Sequence, residues 1–335
     1  MKIMNNVEYI CRGKYESRIL QITIGDKKFT TPTYFPSVSS SATRMQFDAL
    51  VQFCISKRYP RLLISAYDLH DVQRGKQSII SALKKYTKNN FLFVDSGTFE
   101  SYWLKKKWNY IMYRKIIKEF SGDFYASFDE IPNPDDNVKN IISTLNTYTK
   151  KSVNISKNSQ CVTVVHGNTP SQLVKVIEYI SKNNTKYLSM VAIPEKDCGK
   201  TLQDKITTVQ NVRRIISKEN PTSILHVLGC GNPLSMAIFA FAGADSFDST
   251  DWSRWIVNPK TLQLMDYSHI DLANCPCQIC KRKNLDSTNK GLLHNLLFYQ
   301  EFTQKLQTII IQNKGLDFLK QHVDRKTFSK IVKFF

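Results

Sequence analysis

Cys275-Pro276-Cys277-Gln278-Ile279-Cys280 places three thiols within six residues, and His294 follows fourteen residues after the last of them. Three thiolates and an imidazole suit a tetrahedral Zn²⁺. Four protein ligands leave no open position, so such a zinc would be a structural clamp and the chemistry must lie elsewhere. Unrelated cysteines and a core histidine are the plain alternative. Against it, CxCxxC is dense, and Lys281, Arg282 and Lys283 keep it near solvent. A second set of residues is spread along the chain. Asp95, Asp129 and Asp248 each come just after a short apolar run. If those runs converge, the carboxylates suit glycosidic chemistry, in which one attacks or stabilises an anomeric carbon while another moves a proton. Any one of them alone could instead cap a helix.

The runs that must position these groups recur rhythmically. They are Leu62–Ser65, Phe91–Val94, Phe124–Ser127, Cys161–Val165, Tyr187–Ile193, Ile224–Leu228 and Ala244–Phe247. Between them lie amphipathic stretches: Gln77–Tyr86, Tyr110–Phe120, Asn137–Lys150, Ser171–Lys182, Leu202–Ser217 and Pro233–Ala242. Strands alternating with helices predict a parallel sheet, and seven or eight such units suit a closed (β/α)₈ TIM barrel. No GxGxxG follows the first strand, which disfavours an open dinucleotide-binding sheet. Upstream, Leu20–Ile24 and Lys28–Phe35 alternate like a hairpin around Gly25-Asp26. The pattern changes near Pro259. Residues 1–258 are therefore expected to form the barrel, and 259–335 a zinc-binding extension packed on it. Within the extension Cys275–Lys290 reads as loop, Gly291–Gln312 as helix and 315–335 as one short terminal helix.

The chain has 335 residues, with 47 basic against 28 acidic, a net charge of +19. That excess suits a polyanion, nucleic acid first. Eight cysteines, three clustered and five scattered, suit a reducing cytoplasm rather than a disulfide scaffold. Met1–Arg18 is polar and carries no apolar signal segment, and the longest apolar run, Met236–Ala244, is too short to span a bilayer.

Several of these stretches, taken in order, resemble the tRNA-guanine transglycosylases. They are Thr31-Pro-Thr-Tyr-Phe-Pro-Ser-Val38, Ser65-Ala-Tyr-Asp-Leu69, Asp95-Ser-Gly-Thr-Phe99, Ser127-Phe-Asp-Glu130, Phe247-Asp248, and the CPCQIC set with His294-Asn-Leu-Leu-Phe-Tyr-Gln300. The resemblance runs from about residue 30 to 305. It implies a (β/α)₈ barrel with a C-terminal zinc subdomain holding Cys275, Cys277, Cys280 and His294, and a homodimer. The implied reaction replaces a guanine in nucleic acid with a 7-deazaguanine base, without ATP or a redox cofactor. By resemblance Asp248 is the nucleophile at C1′ and Asp95 the general acid/base. Asp129 accepts hydrogen bonds from the base edge, Phe99 stacks on the ring, and Arg254 falls near a phosphate-binding position. His166 stands where the family has a base-bonding Gln, which predicts base recognition that depends on pH near the imidazole pKa of ~6.5. Ser189-Met190-Val191-Ala192-Ile193-Pro194 stands where the family has a glycine-rich base-binding loop, so Met190 and Val191 are expected against the base.

The chain also departs from the family. Gly97-Thr98 precede Phe99 where two glycines usually precede a Tyr, Glu130-Ile131 replace a common Cys, and the Cys280-to-His294 spacing is short. These differences touch the pocket and the nucleic-acid face, not the three Asp. The substrate is thus more open than the chemistry. Exchange in tRNA leads, beside a DNA-acting paralogue, a deazaguanine nucleoside hydrolase and a non-catalytic RNA-binding partner subunit.

Overall fold

The structure is a computed structural model that describes residues 6–41, 45–71, 76–269 and 275–335. It opens with an antiparallel sheet of β1 (Asn6–Arg12), β2 (Arg18–Ile24) and β3 (Lys27–Thr30). Gly25-Asp26 form the expected turn, but the second arm is shorter than the alternation implies. It stops at Thr30, and after a cis Thr31–Pro32 bond the chain enters the barrel as β4 (Thr33–Val38). The other barrel strands are β5 (Arg61–Ser65), β6 (Phe91–Asp95), β7 (Phe124–Ala126), β8 (Gln160–Val164), β9 (Met190–Pro194), β10 (Ile224–Leu228) and β11 (Ser246–Ser249). These eight pair in parallel and close, β11 returning to β4. β9 starts later than its apolar run because Thr185–Leu188 form a 3-10 turn, with Tyr187 and Leu188 buried.

Helices return the chain between strands. They are α1 (Phe47–Ser56), α2 (Ala66–Asp71), α3 (Lys76–Tyr86), α4 (Thr98–Leu104), α5 (Tyr110–Glu119), α6 (Val138–Ser152), α7 (Pro170–Asn183), α8 (Leu202–Glu219), α9 (Pro233–Phe241) and α10 (Asp251–Arg254). Their starts are written in the sequence. Asn109, Asn137, Thr169, Thr201 and Asn232 each accept hydrogen bonds from first-turn backbone amides, and Pro170 and Pro233 occupy first-turn positions that need no amide donor. After a short pair, β12 (Ile256–Val257) and β13 (Leu264–Met265), come α11 (Ser287–Ile311), α12 (Gly315–His322) and α13 (Arg325–Ile331). α11 begins four residues before Gly291, capped by Asp286, and the terminal stretch is two short helices rather than one.

Strand parity sorts the side chains. Phe35, Phe93, Phe124, Val162 and Ala192 fill the barrel, and Leu20, Ile22 and Phe29 of the leading sheet pack against this interior cluster. Phe29 meets Phe91 edge to face at 4.7 Å, and Lys27 reaches the carbonyls of Thr87 and Asn90 just before β6. The sheet thus covers the end where the strands begin and leaves the end where they finish open. Beneath it Asp245 binds Arg18 and Arg213 in a buried ion-pair network. No helix among the described residues is long and apolar enough to cross a membrane.

Candidate active site and metal centre

Continuing each inward row of side chains to the open end of the barrel reaches polar groups. Asp95 lies two residues beyond Phe93 and ends β6; Ser37 lies two beyond Phe35; Asp248 lies two beyond Ser246. They line one cavity of about 410 Å³, a volume ordinary for a small-ligand site, together with Ser39, Phe99, Glu100, Asp129, His166 and Arg254. None of the three Asp caps a helix, since α4, α6 and α10 are preceded by Gly97, Asn137 and Thr250.

Asp248 is only 6% exposed, and protein donors aim it. Oδ1 accepts from the Gly229 amide at 3.1 Å and lies 3.0 Å from His226 Nε2; Oδ2 accepts from Ser37 Oγ at 2.5 Å. The other nitrogen of His226 lies 2.8 Å from Ser246 Oγ. A neutral His226 satisfies both contacts by donating to Asp248 and accepting from Ser246. Sequence reading passed over Ser37 and His226. The signal was their strand parity, which turns both inward onto the Asp248 side of the barrel.

Asp95 carries one amide contact, from Gly97 at 3.2 Å. Burial pushes its carboxyl well above the usual range, and nearby Glu100, Asp129 and Asp248 add to the rise. Glu100, also passed over, is buried on α4 and accepts from Ser39 Oγ at 2.7 Å and Ser65 Oγ at 2.9 Å; burial raises it too. Gly97 begins α4 with φ +82°, and a Cβ there would stand 2.5 Å from the Tyr67 backbone nitrogen. Only glycine can make that approach, and it brings Phe99 to the cavity rim.

Asp129 and His166 form a pair the sequence did not foretell. His166 Nε2 lies 2.7 Å from Asp129 Oδ2, and Nδ1 lies 2.9 Å from Asp197 Oδ2. Burial alone would lower the imidazole pKa, but hydrogen bonds and charge from the two carboxylates outweigh it and raise it to about 9. His166 is thus a cation at neutral pH with both N–H groups committed to carboxylates. The expected titration near 6.5 is corrected: both ring nitrogens face carboxylates, and His166 holds Asp129. The other Asp129 oxygen, Oδ1, is buried without a protein donor among the described residues. The sign follows from the direction of the shift. The stability from this pair is complete below about pH 6.5 and is lost as pH rises through about 9. His166→Gln is expected to remove that alkaline decline and to weaken binding of free base roughly tenfold, about 1.4 kcal/mol for a charge-assisted bond. Thermal melts and base titrations across pH 6–10 check both, and an unchanged alkaline limb in the variant would refute the assignment.

Met190 and Val191 do not line the cavity. They open β9 at the covered end, where Met190 packs inside the barrel and Val191 against the surrounding helices. β9 reaches the cavity through its last residue Pro194, with Glu195 and Lys196 following. The family-like stretch therefore meets the site only at its C-terminal end, at Pro194. Arg254 closes α10 at the rim, its guanidinium 5.9 Å from the Trp255 ring.

The four expected metal ligands come together, their donor atoms within 4.8 Å of one another. His294 Nδ1 lies 3.7, 3.5 and 3.4 Å from the sulfurs of Cys275, Cys277 and Cys280. A tetrahedron built on Zn–S of about 2.3 Å and Zn–N of about 2.0 Å has an S···N edge of roughly 3.5 Å, so the donor set fits zinc. His294 Nε2 donates to the Val257 carbonyl at 2.9 Å, which fixes the tautomer and leaves Nδ1 free to ligate. The next residue, Asn295, accepts from the Val257 amide and donates to the Trp252 and Trp255 carbonyls at 2.6 Å each. Consecutive residues of α11 thus bind both the thiol cluster and the segment that follows Asp248.

Comparison with known proteins adds to this geometry. A family model described as queuine tRNA-ribosyltransferase matches residues 13–327. The chain is 23% identical to a queuine tRNA-ribosyltransferase of Helicobacter acinonychis (strain Sheeba) over 158 residues, 39% of this chain and 41% of that one. Over 189 residues it is 21% identical to one of Francisella tularensis subsp. mediasiatica (strain FSC147), 47% of this chain and 51% of that one. It is 33% identical over 70 residues to a tRNA-guanine(15) transglycosylase of Methanococcus aeolicus, 19% of this chain and 11% of that one. The chain thus spans about half or less of the curated relatives it matches.

Proposed function

The chain belongs to the queuine tRNA-ribosyltransferase family, and we propose that it exchanges a guanine base in nucleic acid, tRNA first, for a 7-deazaguanine base through a covalent aspartyl-glycosyl intermediate. The observation that carries this reading is Asp129. It lines the same cavity as Asp95 and Asp248, and one of its oxygens is buried with no protein donor among the described residues. A buried acceptor left unpaired is costly, and the N–H edge of guanine would satisfy it.

The steps follow from the residues. A stacked guanine cannot reach the cavity, so the nucleotide is flipped out, and Phe99 at the rim offers its ring a face. Asp248, held by His226, Gly229 and Ser37, attacks C1′. The C1′–N9 bond breaks, and its electron pair leaves with guanine. Asp95, its carboxyl pushed well above the usual range by burial and by neighbouring acids, supplies the proton that the departing ring needs. The incoming base returns a proton to Asp95, attacks the same carbon and frees Asp248. Arg254 holds an adjacent phosphate. Asp129 holds the base edge through both half-reactions, and the His166 cation holds Asp129 in place. Zn²⁺ on Cys275, Cys277, Cys280 and His294 would supply rigidity only.

Incubation with labelled guanine and either bulk tRNA or duplex DNA tests the proposal: label is expected in tRNA. Label in DNA alone would move the substrate to the paralogue class, and label in neither would sink the exchange reading. Nucleic-acid binding should also weaken at least about tenfold between roughly 50 and 200 mM salt, because displaced counterions drive it. A flat response would make the +19 charge a solubility feature.

A further inference from the structure

The exposed apolar side chains are unevenly placed. Phe99, Tyr102 and Trp103 on α4 are 48%, 60% and 61% exposed, and Leu104 beside them is exposed as well. Burial does not require them there, because the inner face of α4 is held by polar contacts. Glu100 accepts from Ser39 and Ser65, Thr98 Oγ1 donates to the Asp129 carbonyl at 2.8 Å, and just beyond the helix Trp108 Nε1 donates to the Ser96 carbonyl at 2.9 Å. The outer rings form a continuous strip. Phe99 meets Trp103 at 6.1 Å and 62°, and Trp103 meets Tyr102 at 5.6 Å and 89°. The strip starts at the cavity, which Phe99 lines, and runs outward to Lys105, Lys106 and Lys107, all exposed. Lys106 pairs with Asp71 at 2.9 Å, at a site where both side chains are open to solvent.

We propose that the outer face of α4 and the three lysines after it form a landing surface for the unpaired nucleotides that flank the flipped guanine in an RNA loop. The proposal rests on the base-exchange reading above. Aromatic faces beside lysines are the combination that stacks bases while neutralising the backbone, and such stacking tolerates any sequence because every base has a π-face. A second copy of the chain suits this face poorly. A two-fold contact through α4 would bring two identical lysine runs together on a molecule of charge +19. A fully paired helix suits it poorly too, because its bases are stacked on one another and offer no face.

The test uses the full chain and two labelled probes, an RNA hairpin with guanine in its loop and a blunt RNA duplex of equal length. Fluorescence anisotropy gives affinities, and titration with free guanine confirms that each variant keeps its cavity. Tyr102→Ala with Trp103→Ala is expected to weaken hairpin binding about tenfold or more while changing duplex binding less than about twofold. Tyr102→Phe with Trp103→Phe should retain most of the affinity. Lys105→Ser with Lys107→Ser should weaken both probes and flatten the salt dependence. Unchanged hairpin affinity in the alanine variant, or equal loss on both probes, overturns the landing surface alone. A change of oligomeric state with hairpin affinity intact assigns the face to a second copy and also overturns it. If the parent chain binds neither probe, the choice of RNA as the substrate of base exchange falls and this surface with it.

Discussion

Asp248→Asn is expected to abolish base exchange, with a loss of at least about a thousandfold, while fold and nucleic-acid binding stay near those of the parent. An amide has almost the shape of a carboxylate but cannot act as the nucleophile at C1′. The surroundings tolerate it. The amide oxygen can keep the contacts from His226 and Gly229, and the Ser37 hydroxyl can rotate from donating to accepting where Nδ2 replaces Oδ2. Stability should therefore barely change, which separates lost chemistry from lost structure. Single-turnover incorporation of labelled guanine is the measurement. A variant within about a hundredfold of the parent would place the nucleophile elsewhere.

Removal of the metal should have the second largest effect. Freshly purified protein should hold one zinc per chain, and Cys277→Ala should lose it. The loss should cost on the order of several kcal/mol of stability, since metal binding to a site absent from the unfolded chain appears as folding free energy. Activity should fall as well. His294 and Asn295 bind the backbone of Trp252, Trp255 and Val257, the stretch that follows Asp248 and contains Arg254. With the thiol cluster open, the start of α11 loses its anchor and Arg254 loses its fixed place at the rim. Metal analysis, denaturant unfolding and KM for nucleic acid read the three consequences. Absence of zinc from fresh protein would remove the clamp. A stable Cys277→Ala chain with unchanged KM would show that the cluster does not support the rim.

Much of this was legible along the chain because it depends on local order. The alternation of apolar runs and amphipathic stretches pointed to a parallel sheet and favoured a closed barrel over an open one, and Asp95 and Asp248 could be placed at strand ends by counting. The CxCxxC spacing marked a metal site because thiols two and three residues apart can face one point without knowledge of the rest of the fold. Two elements resisted. The arm Lys28–Phe35 reads as one continuous alternation, yet its first half pairs with β2 and its second half with β11. Period-two patterning is the same in a hairpin and in a barrel strand, so the partner is invisible to it. Met190 and Val191 were misplaced for a related reason: a 3-10 turn shortens the strand, and a motif matched by order carries no information on how far along the barrel each residue sits.

Composition and spacing by themselves determined the barrel class, the carboxylate set, the thiol–imidazole set and the strong positive charge. Tertiary structure alone decided what each group does to its neighbours. His166 has an ordinary pKa in isolation. Only the folding of Asp129 and Asp197, one on either side of it and 37 residues before and 31 residues after it in the chain, makes it a cation that holds Asp129. Asp248 owes its orientation to Ser37, 211 residues away, and Arg254 owes its support to Asn295 on a different helix. Charge and hydrogen bonding act over a few ångströms of space. A chain of one dimension records which groups are present, and only the closed barrel brings them within that range.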